Sequence, residues 1–197
     1  MTIADQPIGE FLDAVAAQQV TPSGGAVAAV GGAMGAALCE MTCIHTVGGD
    51  EPGAAPAELA AVRDTVADRR AQLLTLADED VIAVDAVQAA FDSGDDARIQ
   101  ATLQRSTEVP LETAELCLDV LEHAVTVTAE GTSVAVPDAA VGALLAHAAV
   151  RASVSTVRAN LDTITDEAFV AEMEERSAAA ETASETALAE TLANLDH

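Results

Sequence analysis

Asp80 is the first residue whose type and position suggest chemistry. Leu73, Ala77, Asp80, Val84 and Val87 recur at helical spacing, so one carboxylate falls on an apolar stripe while Asp78 and Glu79 point elsewhere. A buried carboxylate is costly unless it is paired or hydrogen-bonded, and burial raises its pKa. A raised carboxyl pKa suits a general acid or base near neutral pH. A carboxylate at a bundle rim, or one paired with an arginine, would leave the same pattern. Asp138 follows a break at residues 131–137 and precedes an apolar run, which reads as a helix cap. His147 shares a stripe with Ala143, Val150, Val154, Val157 and Leu161, so it is expected to face packed neighbours. One face over, Ala149, Ser153, Thr156 and Asn160 form a small polar, uncharged stripe that suits a tight helix interface or the wall of a polar pocket. Arg151 and Arg158 on the same segment are either anion ligands or ordinary ion-paired arginines. The turn Pro22-Ser23-Gly24-Gly25 opens a helix, whose first amides lack partners and whose glycines let a ligand come close.

The elements that must position these residues all have a helical period. Ile8, Phe11, Leu12 and Val15 mark a first short helix. A second helix starts after the glycine turn and runs to about Thr46, with Val27, Val30, Met34, Leu38 and Met41 on one stripe; Gly31, Gly35 and alanines thin its other side. Residues 48–56 read as a loop. A long helix over about 57–91 would reach ~50 Å, and Ser93-Gly94 ends it. A short helix then carries Ile99 and Leu103, and Pro110 opens another, a first-turn position that suits proline. Helices over about 138–161 and 167–195 complete the chain, and the β-branched run at 125–128 is the one local ambiguity. The predicted fold is all-α, an antiparallel helical bundle with one long helix, in a single domain over 1–197.

The charge balance narrows the function classes. The 197 residues carry 8 Lys+Arg against 33 Asp+Glu, a net charge of −25, with 2% aromatics and no lysine. A nucleic-acid binder needs a basic footprint, and an anionic membrane surface would repel this chain. The dispersed acids read as a surface adapted to high salt; an ordinary acidic cytosolic protein, or one with an acidic partner-binding tail, is the alternative. Against that background, uncharged stretches are expected to be buried, at an interface or at a ligand site. Residues 14–39 carry no charge, and residues 131–161 carry only Asp138, Arg151 and Arg158. The first stretch has too many glycines and glutamines for a membrane span, and Asp5 and Glu10 stand where a signal peptide needs basic residues, so a cytoplasmic location is expected. Cys39, Cys43 and Cys117 lack paired spacing and read as small core residues rather than a disulfide or metal set.

Five segments in order resemble the cyclodeaminase/cyclohydrolase family, which includes the cyclodeaminase half of formiminotransferase-cyclodeaminase and stand-alone methenyltetrahydrofolate cyclohydrolases. They are Thr21-Pro22-Ser23-Gly24-Gly25-Ala26-Val27-Ala28-Ala29 with the Gly32-Ala33-Met34-Gly35 run, then Ala77-Asp78-Glu79-Asp80, Val109-Pro110-Leu111, Pro137-Asp138-Ala139-Ala140-Val141 and Thr156-Val157-Arg158-Ala159-Asn160-Leu161. Ser23 stands where that family usually has glycine, and Ala26 where it has serine.

The resemblance implies a helical homodimer with its active sites in a groove near the subunit interface. The substrate would be a one-carbon-substituted tetrahydrofolate, with no metal and no redox cofactor. The expected reaction is hydrolysis of methenyl-tetrahydrofolate to formyl-tetrahydrofolate. Cyclodeamination of formimino-tetrahydrofolate with release of ammonia is one alternative, and a non-catalytic helical scaffold of the same fold is another. Under the resemblance Asp80 is the catalytic acid/base and Asp138 a second carboxylate near the pterin. Ser23, Gly24 and Gly25 supply backbone contacts, Thr156 and Asn160 line the pocket, and Arg158 or Arg151 meets the glutamate tail.

Overall fold

The computed structural model describes residues 2–48 and 56–196. Most of the expected loop at 48–56 therefore lies outside the described residues. Six helices follow in chain order: α1 (Ile8–Val15), α2 (Gly24–Gly48), α3 (Pro56–Ser93), α4 (Asp96–Glu130), α5 (Val136–Leu161) and α6 (Glu167–Ala193). Short 3-10 turns flank them at Ile3–Asp5 and Asn194–Asp196, and no strand occurs among the described residues. The β-branched run at 125–128 is helical, inside α4. From α2 onward, helices consecutive in the chain run antiparallel. Glu40 of α2 meets Arg70 of α3 at one level while Ala26 meets Asp80 at another; Asp119 and Arg105 of α4 likewise meet Arg69 and Glu79 of α3. Asp95 and Asp166 cap α4 and α6 by accepting from the first-turn amides. Gly94, at φ +65°, makes the left-handed turn between α3 and α4.

The two helices poorest in charge, α2 and α5, pack backbone against backbone. A Cβ added at Gly35 would lie 2.6 Å from the Gly142 carbonyl oxygen, and one added at Gly142 would lie 2.7 Å from that of Gly35. Only glycine lets α2 and α5 touch backbone to backbone. This contact reverses the orientation that the large apolar residues of α2 would suggest. The small side, with Ala26, Ala29, Ala33, Ala36, Cys39 and Cys43, is buried, whereas Val27 and Met34 are 40% and 45% exposed. Both α2 and α5 are long and apolar enough to cross a membrane by length and composition, and about half of each is buried inside the bundle.

The other departures are local. The expected helix start at Pro110 is absent, because α4 runs unbroken through that proline. Proline has no N–H to give the carbonyl four residues earlier. The Ser106 carbonyl that it frees accepts instead from Asn160 Nδ2 of α5 at 2.9 Å. Asp138 is not a cap: α5 begins at Val136, its N-cap is Ala135, and Asp138 is exposed in the first turn. Phe91, at the end of the long stripe, is 56% exposed. The three cysteines are free and buried, with their thiols pushed up by burial to about 12 for Cys39, 11 for Cys43 and 12 for Cys117.

Candidate active site

Asp80 is 4% exposed, at neither of its two plain alternatives, a bundle rim or an arginine pair. Its Oδ2 accepts from Ser23 Oγ at 2.7 Å and from the Ala26 amide at 2.9 Å. The carboxylate thus sits on the amino end of α2, where free amides and the helix dipole favour an anion. Gly25 makes the approach feasible, since a Cβ there would lie 2.0 Å from Oδ1 and 2.6 Å from Cγ. No donor among the described residues meets Oδ1, and that atom is not fully enclosed. Burial pushes the Asp80 carboxyl up from its ordinary value, against the lowering pull of the Ser23 and Ala26 bonds. The turn before α2 has a second tie to α3, from Thr21 Oγ1 to Asp85 at 3.1 Å.

The polar stripe of α5 reaches the same level. Thr42 of α2 donates to the Ala135 carbonyl and Gly35 lies against Gly142, so the antiparallel register sets Gly25 opposite Ser153. Thr156 and Asn160 follow one and two turns farther along the same face of α5, past the amino end of α2. Ser153 Oγ is buried without a partner. Asn160 holds the Ser106 carbonyl. Asp80, Ser23, Gly24, Gly25, Thr156 and Asn160 therefore gather at one end of the bundle.

Two expected residues do not join them. Arg158 lies on the opposite side of α5 and pairs with Glu181 of α6 at 2.7 Å, and Arg151 pairs with Glu181 and Glu185. Neither points toward Asp80. Asp138 sits at the other end of α5, about 22 Å from the Asp80 level at ~1.5 Å per residue. Sequence reading missed the Ala26 amide and the Ser106 carbonyl. The second was signalled by Pro110, since any helix-internal proline frees a carbonyl four residues back. His147 is half-buried with its Nδ1 unpartnered. Among the described residues no three His, Cys, Asp or Glu side chains converge as metal ligands.

The sequence model of the formiminotransferase-cyclodeaminase family matches residues 7–179. The chain belongs to that family. It is 34% identical over 177 residues to the methenyltetrahydrofolate cyclohydrolase of Methylorubrum extorquens, an alignment covering 85% of each chain. The solved formiminotetrahydrofolate cyclodeaminase of Thermotoga maritima superposes with a TM-score of 0.94 at 27% identity, covering 98% of both chains. The matched residues 7–179 span the glycine turn, the long helix and the α5 stripe, so family membership rests on most of the chain rather than on one motif.

Proposed function

We propose that the chain is a folate one-carbon enzyme that hydrolyses methenyl-tetrahydrofolate to formyl-tetrahydrofolate. The observation that carries this reading is the buried Asp80 carboxyl, with Oδ1 free beside Gly25, in a chain whose curated relative is a methenyltetrahydrofolate cyclohydrolase. Oδ1 takes a proton from water as the oxygen bonds to the cationic methenyl carbon. The same proton then passes to the folate nitrogen as the carbon–nitrogen bond of the tetrahedral intermediate breaks, and the second water proton, left on the hydroxyl of that carbon, is released to solvent as the formyl C=O forms. The carboxylate also favours the cationic bridge electrostatically. Gly24 and Gly25 amides, without acceptors in their own helix, suit the developing formyl oxygen. The net change is one C–O bond formed, one C–N bond broken and one proton released, with no change of oxidation state. Decay of methenyl-tetrahydrofolate absorbance at high salt tests it, with no rate above the spontaneous background as the refuting result.

The cyclodeaminase superposition favours a second reading, in which a folate nitrogen attacks the formimino carbon and ammonia leaves. Ammonia release from formimino-tetrahydrofolate separates the two. Either enzyme is expected in the cytoplasm.

We further propose a homodimer built on the outer faces of α2 and α5. Val27, Met34, Val141 and Leu144 are all at least 40% exposed on one side of this helix pair. The patch is centred near Met34, midway between the levels of Asp80 and Asp138. A two-fold axis there that crosses the helices brings Asp138 of the partner subunit toward Asp80, which gives Asp138 a route to the site that its own chain lacks.

A further inference from the structure

Two donors, the Ser23 hydroxyl and the Ala26 amide, converge on Oδ2 of Asp80, and none of the described residues donates to Oδ1. We propose that Ser23 is a positioning residue for the folate reaction: its hydroxyl favours the charged form of Asp80 and confines the exchangeable proton to Oδ1, beside Gly25. The inference rests on Asp80 as the acid/base of the site. Hydrogen bonds to the charged form stabilise it, and an oxygen that already accepts two of them is the poorer base. A proton taken from water therefore settles on Oδ1, the atom open to substrate.

No cation among the described residues shares this task. Residues 14–39, which include the Asp80-facing part of α2, carry no charge. On α3, Asp78 accepts from the Ile3 amide, Glu79 pairs with Arg105, and Asp85 accepts from Thr21. On α4, Arg105 is further engaged by Glu108 and Glu112. On α5, Ser153, Thr156 and Asn160 are uncharged, while Arg151 and Arg158 are bound to Glu181. The Ser23 hydroxyl is thus the one side-chain donor on Asp80 among the described residues, and burial opposes it by favouring the neutral acid.

The test is a carbon-13 NMR titration of the Asp80 carboxyl, assigned by its loss in Asp80→Asn, on wild type, Ser23→Ala and Ser23→Thr in concentrated KCl. The pH profile of kcat/KM for methenyl-tetrahydrofolate hydrolysis is measured alongside. Ser23→Ala is expected to raise the Asp80 midpoint and the acid limb of the profile together by about one pH unit. Ser23→Thr, which keeps a hydroxyl, restores both. If Ser23→Ala does not fold, Ser23→Gly against Ser23→Thr carries the same comparison. An unmoved Asp80 midpoint, with the acid limb intact, overturns the role of Ser23 and leaves Asp80 as the acid/base. A midpoint that moves while the acid limb stays put overturns the acid/base reading, and the positioning role with it.

Discussion

Gly25→Ala is the sharpest perturbation of the site. The new methyl carbon would sit 2.0 Å from Asp80 Oδ1 and 2.6 Å from Cγ, where ordinary contact begins near 3.4 Å, so the carboxyl must retreat by more than an ångström. Its bonds to Ser23 and Ala26, now 2.7 and 2.9 Å, do not survive that retreat. Hydrogen bonds to a charged group are worth ~1.5–3 kcal/mol each, partly recovered if the carboxylate swings into water. Replacing glycine by alanine in a helix returns up to ~1 kcal/mol. The expected net cost is therefore about 2–3 kcal/mol, a fall in Tm of roughly 4–12 °C for a chain of this size. A catalytic group misplaced by ~1 Å loses about a hundredfold in rate. Urea unfolding and the methenyl-tetrahydrofolate assay read the two effects. Gly24→Ala is the stability control, because a Cβ there meets nothing within 4 Å. Should Gly25→Ala match Gly24→Ala in stability and keep the wild-type rate, the close packing of Asp80 on α2 is refuted.

Asp80→Asn should abolish most turnover while the protein stays folded, since the amide oxygen can still accept from Ser23 and Ala26. The wild-type carboxyl is raised above its ordinary value. It therefore binds more protons folded than unfolded, and its contribution to stability falls as pH rises from near 3.8 through the folded pKa. Urea midpoints should show wild type losing stability relative to Asp80→Asn over that rise; a gain would contradict the burial of the carboxyl. Asn160→Ala should cost about 1–3 kcal/mol by orphaning the Ser106 carbonyl, and Pro110→Ala should remove most of that cost by restoring a helical N–H. Additive effects in that double-mutant cycle would mean that Asn160 does not serve the proline. If Asp138 acts across the subunit boundary, mixing inactive Asp80→Asn with inactive Asp138→Asn should recover about a quarter of wild-type activity through hybrid dimers. Recovery of nothing, with hybrids verified, would leave Asp138 outside the site. Finally, the unfolding midpoint should rise with KCl as the net charge of −25 is screened over a Debye length that shrinks from ~10 Å at ~0.1 M to ~3 Å at ~1 M; a flat or falling midpoint would remove the salt-adapted reading.

By itself the sequence determined the helical class, the long α3, the glycine turn and the anomaly at Asp80. Each is written in local periodicity, which a helix converts into a face without help from distant residues. The contrast between uncharged and acid-rich stretches also singled out α2 and α5 before any packing was known. Tertiary structure decided which face of α2 turns inward. Periodicity identifies an apolar stripe but not its neighbour, and here backbone contact at Gly35 and Gly142 drew in the small side and left Val27 and Met34 outside. It also carried α4 through Pro110, because an asparagine 50 residues later in the chain supplies the hydrogen bond that the proline cannot. Above all it decided the site. Carboxylates and arginines look alike in a string of letters, but antiparallel packing brought Asp80 onto the amino end of α2, sent Arg158 to Glu181 and kept Asp138 at the far end of α5.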